Sequence, residues 1–147
     1  MSYNFTDACV SAIQDAVQAA EQNGQTEVSE ANLLLSFLQQ DDGYFPMILQ
    51  ALKMPVEGLI KETKQFITTL PTFSGQKQPP GQGRSFQNRV QEAAALAKEW
   101  NDSYISSDHF FSIYWKNGGQ PLANWKKSYK YSQHYIVTGK QYAKLRQ

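Results

Sequence analysis

The chain predicts an all-α fold: two pseudo-twofold-related four-helix repeats, about eight helices in one domain. Three observations point there. Val28-Ser29-Glu30-Ala31-Asn32-Leu33-Leu34 reappears 77 positions later as Ile105-Ser106-Ser107-Asp108-His109-Phe110-Phe111. Upstream, Cys9, Ile13, Ala16, Val17 and Ala20 correspond at the same offset to Phe86, Val90, Ala93, Ala94 and Ala97. Apolar residues recur at helical spacing, and no strand-like alternation competes. A unit repeated at a fixed offset is a supersecondary element used twice, with one copy burying its apolar face against the other.

Thr6 N-caps the first helix, with Phe5 and Val10 at the two positions of a hydrophobic staple. Asn23-Gly24 stops it. Ser29 caps the second helix, Val28 and Leu33 form its staple, and Leu33, Leu34, Phe37 and Leu38 make its buried stripe. After the turn Asp41-Asp42-Gly43, Pro46 opens a short third helix carrying Met47, Ile48 and Leu52. Pro55 opens a fourth, with Val56, Leu59, Ile60, Phe66, Ile67 and Leu70 at helical intervals. Residues 71–84 are rich in Pro, Gly and Gln and read as an exposed linker.

The second unit repeats the scheme. Ser85 can cap a helix bearing Phe86, Val90, Ala93, Ala94, Ala97 and Trp100, which Asn101-Asp102-Ser103 breaks. Ser106 caps the next helix, and Ile105 with Phe110 repeats the staple. Gly118-Gly119 turns the chain and Pro121 opens another short helix. By symmetry with residues 56–70, the segment from about Ser132 to Arg146 should be helical, although Ile136-Val137-Thr138-Gly139 has low helix propensity. Repeat one covers about residues 5–70 and repeat two about 85–147 of a single domain, residues 1–147.

A chain of 147 residues suits one domain, large enough to bury roughly 70% of its unfolded surface. The net charge of +1 conceals an asymmetry: residues 1–108 carry −6, and residues 109–147 carry +7 with no acid. Cys9 is the only cysteine, so no intramolecular disulfide forms, as suits a reducing compartment. The start, Met1-Ser2-Tyr3-Asn4, lacks the basic and apolar regions of a signal peptide, and no apolar run approaches a membrane span. The expectation is a soluble cytoplasmic protein.

Catalytic chemistry is not written in the chain. Gly139-Lys140 is followed by Gln141 and lacks the upstream Gly of a phosphate loop; Gly81-Gln82-Gly83 lacks a preceding strand. His109 and His134 have no Cys or carboxylate at metal-ligand spacing. Cys9 lies on the apolar face of its helix and reads as a small buried side chain. No nucleophile–base pair is evident. A non-enzymatic module is expected, with no cofactor of its own.

The duplicated unit, the [Val/Ile]-Ser-x-x lead into each second helix, and the Pro/Gly linker together resemble the Clp N-terminal domain, the module preceding the ATPase rings of Clp/Hsp100 chaperones. The resemblance covers about residues 4–125 and weakens after Trp125. Ile105-Ser106-Ser107-Asp108, the opening Phe5-Thr6-Asp7-Ala8 and the turn Asp41-Asp42-Gly43 look like the ClpB type; ClpA and ClpC types usually carry Gly-Thr-Glu-His at the former. The resemblance implies binding of unfolded or aggregated polypeptide for an ATP-driven, hexameric disaggregase. ATP and magnesium then belong to the rings, and this fragment alone is expected to be a monomer. It implies substrate contacts at Thr6, Asp102 and Asp108, beside a hydrophobic groove at Val90, Leu96 and the His109–Phe110 region. His109 departs from the aliphatic residue usual in the family.

Each of these residues also has a structural reading. Thr6 caps a helix, Asp108 sits in a first turn where the helix dipole favours an acid, and Asp102 lies in a turn. Two other functions stay open. ClpA- and ClpC-type N-domains dock adaptor proteins. The tail interleaves Lys116, Lys126, Lys127, Lys130, Lys140, Lys144 and Arg146 with Tyr114, Tyr129, Tyr131, Tyr135 and Tyr142. That pattern suits single-stranded nucleic acid, but no defined nucleic-acid motif accompanies the charge, and the favoured reading is a solvated face whose lysines neutralise the acidic first unit.

Overall fold

The structure, a computed structural model, describes residues 3–117. Six helices are found among them: α1 (Asp7–Gln22), α2 (Glu30–Leu38), α3 (Tyr44–Ala51), α4 (Val56–Ile67), α5 (Arg84–Glu99) and α6 (Ser107–Asn117). The all-α class holds. The two further helices expected from Pro121 and from Ser132, and most of the basic tail, lie outside the described residues.

The 77-residue offset recurs in the geometry. α1 packs on α2 as α5 packs on α6, and α2 also touches α3, α4 and α5. α1 ends in a left-handed Gly24 (φ 71°) and α5 in a left-handed Asn101 (φ 60°), the matching position. Both ends are Schellman turns: Gly24 and Gln25 N–H donate to Glu21 and Ala20 carbonyls, as Asn101 and Asp102 N–H donate to those of Lys98 and Ala97. Glycine and asparagine are the two residues that take this conformation at least cost.

The short extended segments correct the expectation of no strands. β1 (Glu27–Val28) pairs in parallel with β2 (Gly81–Gln82), and Phe5 bridges Ile105 in parallel. The pairing is reciprocal: the segment before the first helix of each unit pairs with the segment before the second helix of the other. The linker is therefore exposed but tethered. Thr26 N–H donates to Pro71, Phe73 N–H to Gly24, and Gly83 N–H to Val28.

Other details differ from the sequence reading. α3 begins at Tyr44, so Pro46 stands at its third residue, where its missing N–H still has no intrahelical partner. Ser85 does not cap α5; Gly83 holds that position, and the Ser85 hydroxyl accepts the Glu30 N–H of α2 at 3.0 Å. Val10 stays exposed, and Phe5 packs instead against Tyr3 and Phe110.

The core lies where α2, α3 and α6 meet. Phe37 stacks on Phe45 at 4.5 Å and meets Phe110 at 5.2 Å; Phe111 joins Phe45 to Trp115. Among the described residues one buried charge joins α5 to α2 and α6. Arg89 stands at the position of Ala12 in the first unit, its Nε 3.0 Å from Glu92 and 3.5 Å from Glu30, and its guanidinium donates to the Asn117 carbonyl ending α6.

Candidate functional site

The site forms where α5 ends and α6 begins. The Schellman turn fixes the Asp102 backbone, so its side chain faces the start of α6. There His109 occupies the third helical position. Its Nδ1 accepts the Ser106 N–H at 2.9 Å, and its Nε2 lies 2.7 Å from Asp102 Oδ2. A backbone N–H can only donate, so Nδ1 carries no proton. The ring proton is on Nε2 and is donated to Asp102.

The first unit builds the same constellation from neutral groups. Asn32 Oδ1 accepts the Ser29 N–H at 2.8 Å, and its amide pairs with Gln25 at 3.0 Å. Gln25 and Asn32 correspond at the 77-residue offset to Asp102 and His109. The second copy thus replaces an amide pair with a titratable one. That substitution was the available sequence signal, and the motif comparison missed it because it aligned the helix lead-in and not the turn before it.

Asp108 completes the cluster. It accepts from the Ser106 hydroxyl, and its Oδ1 lies 3.7 Å from His109 Nδ1. His109 is 1% exposed and Asp108 12%, whereas Asp102 is 41% exposed. A buried imidazole therefore stands between an open carboxylate, which it bonds, and a largely covered one. Thr6 approaches from α1: its Oγ1 accepts the Cys9 N–H at 3.4 Å and its N–H donates to Ile105. Cys9 Sγ is 3.9 Å from Ser107 Oγ. Burial pushes the Cys9 thiol up, against hydrogen bonds from Thr6 and Ser107. Such a thiol is a poor nucleophile.

The structure thus gathers Thr6, Asp102 and Asp108 around the start of α6. It does not gather the three apolar candidates into one strip. Phe110 is fully buried against Phe37 and Phe5, so it is a core residue and not a groove wall. Val90 and Leu96 are half-buried on α5, about 120° apart around the helix, and flank its buried stripe from opposite sides. The groove that does contain Asp102 has a volume of ≈ 560 Å³ and is walled by Tyr3, Ala94, Ala95, Lys98 and Tyr104. Tyr104 is among the most exposed large side chains of the described residues.

Among the described residues no group of three or more His, Cys, Asp or Glu could hold a metal ion, and no helix is long and apolar enough to cross a membrane.

Comparison with known proteins adds a family. Residues 4–128 match the family described as the Clp repeat (R) N-terminal domain. The chaperone protein ClpB of Bdellovibrio bacteriovorus is 33% identical over 111 residues, which is 76% of this chain and 13% of that protein. The chain therefore spans a small part of the length of that curated relative. The Hsp104 N-terminal domain of Candida albicans superposes with a TM-score of 0.68 at 15% identity, covering 84% of this chain and 87% of that one. A ClpV N-domain in complex with a VipB peptide superposes with a TM-score of 0.70 at 16% identity, covering 92% and 88%. At these identities the two structures speak for the fold.

Proposed function

Because the chain belongs to the Clp repeat (R) N-terminal domain family, we propose that it is the N-domain of a ClpB-type, ATP-dependent disaggregase and binds extended segments of unfolded or aggregated polypeptide. The observation that carries this reading is the convergence of Thr6, Asp102 and Asp108 on the start of α6, with Asp102 lining an open groove. Polypeptide capture needs no catalytic geometry. It needs partly exposed apolar walls, here Tyr3, Ala94, Ala95 and Tyr104, next to polar groups that hold an extended backbone. The ClpV N-domain solved with a VipB peptide supports peptide binding as a use of this fold. The 33% identity to a ClpB supports the disaggregase assignment over adaptor docking. The ATPase rings, their hexamer and a cytoplasmic site of action are part of the same proposal.

Affinity should be modest, roughly micromolar or weaker, because a shallow groove buries little area and ordering an extended chain costs entropy. The test is titration of the chain with an unfolded model protein and, in parallel, with single-stranded DNA. Asp102→Ala and Asp108→Ala should weaken binding of the unfolded protein while the helical circular dichroism signal persists. Melting curves accompany the binding data, because Asp108→Ala also removes a favourable charge from a helix start, worth about 0.3–1 kcal/mol. Binding confined to the DNA, steeply salt-dependent and abolished by Lys126→Ala and Lys127→Ala but not by Asp102→Ala, would sink the chaperone reading.

A further inference from the structure

We propose that His109 is a positioning residue that makes the binding site pH-sensitive: beside a neutral imidazole the Asp102 carboxylate, held by one hydrogen bond and open to solvent on its other side, keeps its full negative charge for a cationic group of an extended ligand, and protonation of the ring compensates that charge and turns the ring toward Asp108 as well. The proposal rests on the polypeptide-binding reading and adds a regulation to that same site.

The argument is geometric. In the neutral ring Nδ1 accepts the Ser106 N–H and Nε2 donates to Asp102. The added proton can go only to Nδ1, where the Ser106 N–H already points. Two donors cannot face one another, so the Ser106 bond to the ring must break. The new Nδ1–H finds Ser106 Oγ at 3.1 Å and Asp108 Oδ1 at 3.7 Å. The imidazolium then bridges Asp102 and Asp108 with a positive charge between them. Binding of a cation at Asp102 loses its electrostatic reason, and the start of α6 loses one backbone cap. The groups facing the ring among the described residues are Asp102 from the α5–α6 turn, Asp108 and Ser106 at the start of α6, and the Trp100 ring from α5 at 5.2 Å. Cys9 of α1 stands beyond Asp108, whose charge it feels. Lys98 is the cation of the groove itself. The first unit supplies the internal control: Gln25 and Asn32 hold the same turn and cap without a titratable group.

The test has two independent readouts on the whole chain. The first is ligand-free NMR. The Ser106 amide proton should shift in step with the His109 ring resonances as the pH is lowered from about 8 to about 5.5. The second is binding of an end-capped peptide of Lys, Leu, Tyr and Gly, whose own charge is constant over that range. Its affinity should fall roughly three- to tenfold between about pH 8 and about pH 5.5. His109→Asn should remove that fall. The double variant Asp102→Gln with His109→Asn transplants the pair of the first unit. It should fold with unchanged circular dichroism and bind the peptide weakly at every pH. A Ser106 amide that stays flat while His109 titrates would overturn the coupling. A pH response that persists in His109→Asn would overturn the role of the histidine. Absence of peptide binding at about pH 8 would overturn the polypeptide-binding reading and the ligand half of this proposal, while the amide readout still decides the coupling.

Discussion

At Cys9 and Tyr114 the fold holds protons. Burial pushes both up from their ordinary 9.0 and 10.0, and the neighbouring Glu30 charge adds to the rise at Tyr114. Each folded-state value is raised, so the native chain keeps these protons more tightly than the unfolded chain does. The stability that results is complete below about pH 9 and is lost as pH rises further. Thermal melts at pH 7 and at pH 10 should show a lower melting temperature at pH 10. A thiol reagent at neutral pH should label Cys9 in denaturant and leave it unmodified in the native chain over minutes; rapid native labelling would contradict its burial. The same scale shows how much of the site was legible. The family resemblance implies Thr6, Asp102 and Asp108; the structure sets each of them near the start of α6, with Asp102 alone lining the groove. The Asp102–His109 bond was not foreseen, because a hydrogen bond between positions seven apart depends on how the intervening turn is wound.

Among the elements, the second unit lends the first a cap. Ser85 was expected to serve its own helix, yet its hydroxyl accepts the Glu30 N–H of α2. Ser85→Ala should therefore destabilise α2 more than α5, by about 0.5–2 kcal/mol overall. Urea unfolding measures the total. Amide exchange locates it, with Glu30 losing protection; a loss confined to the start of α5 would contradict the cross-unit cap. Gly83 shows why the linker is not free. A Cβ there would sit 2.6 Å from the Val28 carbonyl and 3.1 Å from Glu27 Oε2. Gly83→Ala must push β2 off β1 and should cost roughly 1–3 kcal/mol, read out as a lower urea midpoint with raised exchange at residues 81–83. These two-residue ladders were not legible, since a pair of residues has no periodicity to detect.

Across the whole molecule, Arg89 ties three helices. It pairs with Glu30 of α2 and Glu92 of α5 and donates to the last carbonyl of α6. Its Nε meets the carboxylates as an ion pair and not through an aligned hydrogen bond. Removing one member of a buried pair leaves its partners uncompensated, so Arg89→Ala should cost about 3–5 kcal/mol. Chemical denaturation tests this; a loss below about 1 kcal/mol would place Arg89 with ordinary surface ion pairs. The first unit fills the same position with Ala12, so the repeat is symmetric in backbone and asymmetric in charge.

The sequence by itself determined the helical class, the order of the helices through α6, the duplicated unit and the family resemblance. Those follow from periodicity, caps and a constant offset, all local along the chain. Only the tertiary structure decided which half of each unit pairs with the other, that Phe110 is core, that Val90 and Leu96 flank opposite sides of α5, and that His109 joins the two acids. The reason is physical. A core phenylalanine and a groove phenylalanine obey the same helical spacing, and a polar side chain takes its partner from whatever the packed neighbour presents. Spacing names the face of a helix, and packing alone says what that face meets.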